Sequence, residues 1–157
     1  MNSLFPYLLI SHSWNRWAIL LLLLYAITNA YFSKNHQRKY TSTNKITSTL
    51  LLVSLFYQMA LGLFLYWKSP LSQFFIQNIN QGLHIREVRF FGLEHIFVML
   101  TAIVVICTGC FKIHYAKTDK QKHLLTIKWM GIGLFLILTS IPWSFSPLIS
   151  RPLFRLI

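Results

Sequence analysis

Residues 88–114 read VRFFGLEHIFVMLTAIVVICTGCFKIH, and from Ile96 to Phe111 no side chain is charged. A helix of this length measures about 40 Å, more than the ~30 Å hydrocarbon core of a bilayer requires. The stretch lacks the alternation of a barrel strand. In lipid every backbone N–H and C=O must find a partner within its own segment, so a spanning helix is the sensible structure. The rest of the chain agrees. Its 157 residues are 55% hydrophobic and 11% charged, against about 25% charged in a soluble domain. Three further apolar runs, 4–32, 46–67 and 123–143, are long enough to cross. Pro6 falls in the first turn of the first run and Pro142 near the end of the last, where neither breaks a helix. These features predict an all-α integral membrane protein: a four-helix up-down-up-down bundle forming a single transmembrane domain over 1–157. No removable signal peptide is expected, because the N-terminus lacks a basic leader and a small-residue cleavage site.

The basic residues suggest an orientation. Lys34, Arg38, Lys39 and Lys45 lie between spans one and two, and Lys112, Lys117, Lys120 and Lys122 between spans three and four. The other side holds Lys68, Arg86, Arg89, Arg151 and Arg155, spread over longer stretches. The positive-inside rule then puts both short basic loops in the cytoplasm and both termini outside. This is the topology expected of a multi-pass protein of a bacterial inner membrane. The net charge of +12 reads as attraction to anionic lipid rather than to nucleic acid. In the connection from Lys68 to Glu87, Leu71, Phe74, Phe75 and Ile79 share roughly one helical face. That stretch is either a short amphipathic helix at the interface or an ordinary loop. The tail after Trp143, SFSPLISRPLFRLI, is interrupted by Pro147 and Pro152 and is too short to span. It is suited to resting on lipid or on a partner subunit.

Polar residues inside spans are costly, so each is a functional candidate. His12 and His95 lie a turn or two inside the starts of spans one and three. Alternate spans run the same way, so the two histidines share a depth on one side of the membrane. That placement suits a haem iron held between two imidazoles. His12 and Arg16 are four apart and share a face. Arg16 or Arg89 can pair a haem propionate. Arg16 and Glu94 can pair across the interior, since an unpaired charge there would cost several kcal/mol. Trp14, Trp17, Phe90, Phe91 and Phe97 can supply flat apolar walls. Two other readings stand beside haem: a buried polar cluster that glues helices together, and a proton or quinone site with Glu94 and His95 as relay.

The chain resembles a family of small four-helix bacterial membrane proteins labelled cytochrome b or cytochrome-b-like. The matching pieces are His12-Ser-Trp-Asn-Arg16-Trp17, Gln58-x-x-x-Gly62, Glu94-His95, Lys122-His123 and Ile141-Pro142-Trp143. They are short, and together they extend over nearly the whole chain. The family often carries a further histidine just before the span-two glutamine, where this chain has Tyr57. The resemblance implies haem b as cofactor and an electron-transfer subunit working with a membrane or redox partner protein and with quinol.

A second group lies nearer the other membrane face. Cys107, Cys110 and His114 follow at i, i+3 and i+7, a spacing with some likeness to a metal or thiol redox site. Small residues also serve helix packing, and Thr108 and Gly109 fit that use. His123, beside Lys120 and Lys122, is placed as an interfacial histidine near lipid phosphate. His36 and His84 fall in loops. Lys128 is positioned to snorkel to the surface. A phosphate-cradling glycine loop, a GxSxG elbow and an HExxH motif are all missing. With only Glu87, Glu94 and Asp119 as acids, paired acid–base hydrolysis lacks its groups. The chain therefore reads as an electron-transfer component, an accessory subunit, or a small quinone- or proton-handling protein, rather than a stand-alone enzyme.

Overall fold

The computed structural model describes residues 4–143, so the tail beyond Trp143 lies outside the described residues. Four helices are long and apolar enough to cross a membrane. They are α1 (Leu4–Asn35), α2 (Ser42–Lys68), the continuous stretch Arg86–Tyr115 that ends in α6 (His95–Tyr115), and α7 (Asp119–Ser140). The connection between α2 and α6 is itself helical, through α3 (Pro70–Gln77), α4 (Ile79–His84) and α5 (Arg86–Arg89). Pro70 opens α3 at a position where its missing N–H costs nothing. A π-helical segment, Phe90–Glu94, then runs without a break into α6. Of the two alternatives, helix or loop, the connection is helical, but it breaks at Asn78, so Ile79 opens a separate helix from Leu71, Phe74 and Phe75, and the buried residues of α3 are Ser72 and Phe75.

The short turns have local causes. At the end of α1, the Arg38 N–H donates to the Ser33 carbonyl at 2.9 Å and the Gln37 N–H to the Lys34 carbonyl at 3.3 Å. Gln37 takes a left-handed backbone, φ 52°, which completes a Schellman stop. His123, buried at the start of α7, donates from Nε2 to the Arg38 carbonyl at 3.2 Å. Its ring also lies 5.4 Å from that of Tyr40. His123 is therefore not the lipid-facing histidine that its sequence position suggests. It ties the α1–α2 turn to α7. The Thr118 hydroxyl caps α7 by accepting from the Gln121 N–H at 3.2 Å, and Asp119 sits in the first turn, where negative charge is favoured.

Helix α7 packs along both α6 and α1, and α1 packs along α2. Helices α2 and α6 touch only lightly, so the ring of four is loosest on that side. The α6–α7 contact is close because glycines face large side chains. A Cβ on Gly109 would collide with Trp129, and one on Gly133 with Ile106. Leu23, Leu51, Ile106 and Met130 are fully buried at the centre. Outward, Leu21, Val53, Val104 and Phe135 are each more than 60% exposed, an apolar surface that suits lipid rather than water. Hydroxyls inside the spans are quenched locally. Thr47, Ser48, Thr101, Thr108 and Thr126 each donate to the carbonyl four residues earlier, which hides the polar group without breaking the helix.

Candidate functional site

Where α2 and α6 part, the bundle forms an open-sided cavity of about 430 Å³ lined by His12, Ser13 and Arg16 of α1, Gln58, Met59 and Gly62 of α2, and His95, Met99 and Ile103 of α6. Ile137 and Ile141 close it from the α7 side, and Pro70, Leu71 and Ser72 from the α3 side. The walls are mostly aliphatic, with a few polar groups converging, which is the usual make-up of a small-molecule site. His12 and His95 therefore do share one chamber, as their depth and direction suggested.

Each histidine is held differently. The Nδ1 of His95 lies 2.9 Å from the Ser140 carbonyl and 3.2 Å from the Ser140 hydroxyl. A carbonyl can only accept, so Nδ1 carries the proton and Nε2 keeps a free lone pair. Phe90 and Phe91 brace the same ring, with centroids 5.7 and 6.2 Å away. His12 packs against Gly62, where an added Cβ would stand 3.4 Å from its Cε1. Its Nδ1 is buried with no hydrogen-bond partner among the described residues. An imidazole nitrogen left in that state costs about 1–3 kcal/mol. The His12 carbonyl is fixed by Gln58, whose Nε2 donates to it at 3.0 Å. The Gln58 Oε1 in turn accepts from Asn15 Nδ2 at 2.8 Å, and the same amide reaches the Ser54 carbonyl at 2.9 Å.

The π-helical segment positions His95. Its N–H donates to the Phe90 carbonyl, five residues back rather than four. Tyr66 of α2 donates its hydroxyl to the Gly92 carbonyl at 2.8 Å. Phe75 of α3 fills the space that side chains on Gly92 and Gly82 would need. The α3–α5 connection is thereby bolted to the turn that aims His95.

Several expectations need correcting. Glu94 is exposed and pairs with Arg89, Nε to Oε1 at 2.7 Å, instead of reaching Arg16. Arg89 also donates to the Leu83 carbonyl at 3.0 Å, so both residues belong to the α4–α6 connection and neither lines the cavity. Helix rotation decides this, because His95 turns inward and its neighbour Glu94 must then turn away. Arg16 does line the cavity; its Nη2 is 3.4 Å from the Ser13 hydroxyl, and its guanidinium carbon lies 5.4 Å from the Trp17 ring centroid. Of the five aromatics expected as walls, Phe91 lines the cavity and Trp14, Trp17, Phe90 and Phe97 do not; Trp14 and Phe97 are exposed.

Cys107, Cys110 and His114 do not gather. Among the described residues no group of three or more His, Cys, Asp or Glu side chains is placed to hold a metal ion. Seven residues of helix separate the first and last by about 10 Å along the axis, too far for one ion. Both cysteines are free thiols, and the exposed His114 packs its ring 5.0 Å from Tyr115.

The roles of Asn15, Ser140 and Tyr66 were not anticipated. Asn15, three residues after His12, is a polar residue within a span, but a backbone carbonyl such as that of Ser140 leaves no sequence signal. No family model, curated protein or solved structure matches this chain, so the cavity is interpreted through its own side chains.

Proposed function

We propose that the protein is a membrane electron-transfer subunit for one b-type haem, which His12 and His95 would hold. The observation that carries this reading is the shared apolar cavity between two imidazoles from diagonally placed spans. The His95 arrangement fits a metal ligand: its Nδ1–H is committed to a carbonyl, which orients the ring and leaves Nε2 for the iron. His12 would bind through Nε2, because its Nδ1 is buried beside Gly62 of α2. Arg16 would pair a propionate, and the aliphatic walls would exclude water and so tune the potential. Haem would supply one-electron chemistry; the chain would bind and orient it against mostly apolar walls. On this reading the site lies near the outer face of a bacterial inner membrane, both termini are outside, and electrons pass between quinol and a redox partner.

A haem-free accessory subunit of a larger membrane complex is the second reading. The Asn15–Gln58–His12 hydrogen bonds favour it, because they join α1 to α2 with or without a cofactor. A proton relay through Glu94 has less support, since that carboxylate is committed to Arg89 on the exposed side.

The test is a reduced-minus-oxidised spectrum of purified protein, with pyridine extraction to count haem. The haem reading expects about one haem per chain, and loss of the low-spin spectrum in His12→Ala and in His95→Ala while both variants still insert. A full spectrum in both variants would remove the ligand assignment. A well-folded wild type without pigment would leave the accessory reading.

A further inference from the structure

Lys128 stands nine residues beyond Asp119, the start of α7, which places it about 13 Å inside the helix. It is exposed on the outside of the bundle, as is Lys112 on the neighbouring α6. Both ammonium groups converge on one indole: Lys112 Nζ lies 5.5 Å and Lys128 Nζ 5.9 Å from the Trp129 ring centroid. The ring is fixed, because Trp129 fills the groove left by Gly109. Its Nε1–H is buried with no acceptor among the described residues. The one ion pair among the described residues, Arg89–Glu94, belongs to the α4–α6 connection. Two cations therefore flank one indole near the loop end of the apolar surface, with no acid among the described residues paired to either.

Ring faces attract cations, but two ammonium groups beside one indole still repel each other. Charge in an apolar band is unfavourable without a counter-ion. An anion beside the lysines relieves both problems, and on a lipid-facing surface near the loop end of the bundle the anion at hand is a phospholipid headgroup. We propose that Lys112, Trp129 and Lys128 form a binding site for the phosphate headgroup of an anionic phospholipid. The lipid phosphate bridges the two ammonium groups, and its chains run along the exposed apolar surface of α6 and α7. The two lysines together are worth roughly a tenfold or greater preference for anionic over zwitterionic lipid.

The full-length chain in detergent is mixed with equal phosphatidylglycerol and phosphatidylcholine, and retained lipid is counted by native mass spectrometry. Wild type is expected to keep phosphatidylglycerol preferentially. The double variant K112Q/K128Q is expected to lose that preference about tenfold. The double variant K117Q/K120Q removes the same charge from the adjoining loop and is expected to keep it. Equal loss in both doubles would reduce the effect to net charge and overturn the site. Equal retention of the two lipids by wild type would also overturn it, as would thermal stabilisation by inorganic phosphate equal to that by phosphatidylglycerol. If K112Q/K128Q fails to fold, K112R/K128R against the single variant K128Q makes the same comparison, with binding kept in the first and lost in the second.

Discussion

A neutral imidazole donates from one nitrogen and accepts at the other, and at His95 the Ser140 carbonyl decides which is which. The second histidine is governed by space. Gly62 leaves an opening against His12 in which a Cβ makes ordinary van der Waals contact, 3.4 Å from Cε1. Gly62→Ala is therefore expected to keep both the fold and the cavity. Gly62→Leu adds atoms beyond that contact, forces the His12 ring aside and is expected to cost about 1–3 kcal/mol. Thermal melting in detergent measures the cost, and ligand occupancy measures the displaced ring. If Leu is as well tolerated as Ala in both assays, the packing of His12 on Gly62 is wrong. At this scale the sequence was only partly legible. His12, Arg16 and His95 announced themselves because ionisable groups are rare in spans. Asn15 and the Ser140 carbonyl did not, since an amide or a backbone oxygen carries no comparable cost.

Between elements, the α6–α7 contact depends on where the glycines face. A Cβ on Gly133 would collide with Ile106, whereas nothing stands within 4 Å of one on Gly131. Gly133→Ala is expected to destabilise by about 1–3 kcal/mol. Gly131→Ala is expected to be neutral or slightly stabilising, since alanine is the better helix former. Comparing the two melting temperatures checks this, and equal values would mean that α6 and α7 do not pack as described. The spans themselves were readable to within a few residues. The stretch 4–32 became Leu4–Asn35 and 46–67 became Ser42–Lys68, because a long apolar run in lipid has one stable backbone solution. Helix rotation was not readable. The hydrophobic signal that reveals a core face in water is uninformative when lipid and core are equally apolar. Hence Glu94 and Arg89 were placed at the cavity, and Phe97 was given a wall that it does not form.

For the whole molecule, the basic loops Asn35–Ser42 and Tyr115–Asp119 share one end of the bundle, and the α3–α5 connection caps the other. Single cysteines placed at Lys39 and at Gln81, in a background without Cys107 and Cys110, are expected to react from opposite sides. The Lys39 position should label only after the cytoplasmic face is opened. Labelling of Lys39 from outside in intact cells would invert the topology. The π-helical turn has a consequence for how the chain tolerates insertions and deletions. Because Phe90–Glu94 closes one wider turn, the stretch before Phe90 and the helix after His95 are out of phase with each other by about one residue. Losing one residue there would restore a regular helix with no break in hydrogen bonding. It would also turn His95 by about 100° relative to the residues before Phe90, away from the cavity and the Ser140 carbonyl. The bundle could accept such a deletion as a helix and still lose the alignment of its two ends, so a span of normal length and hydropathy would give no sign of the damage.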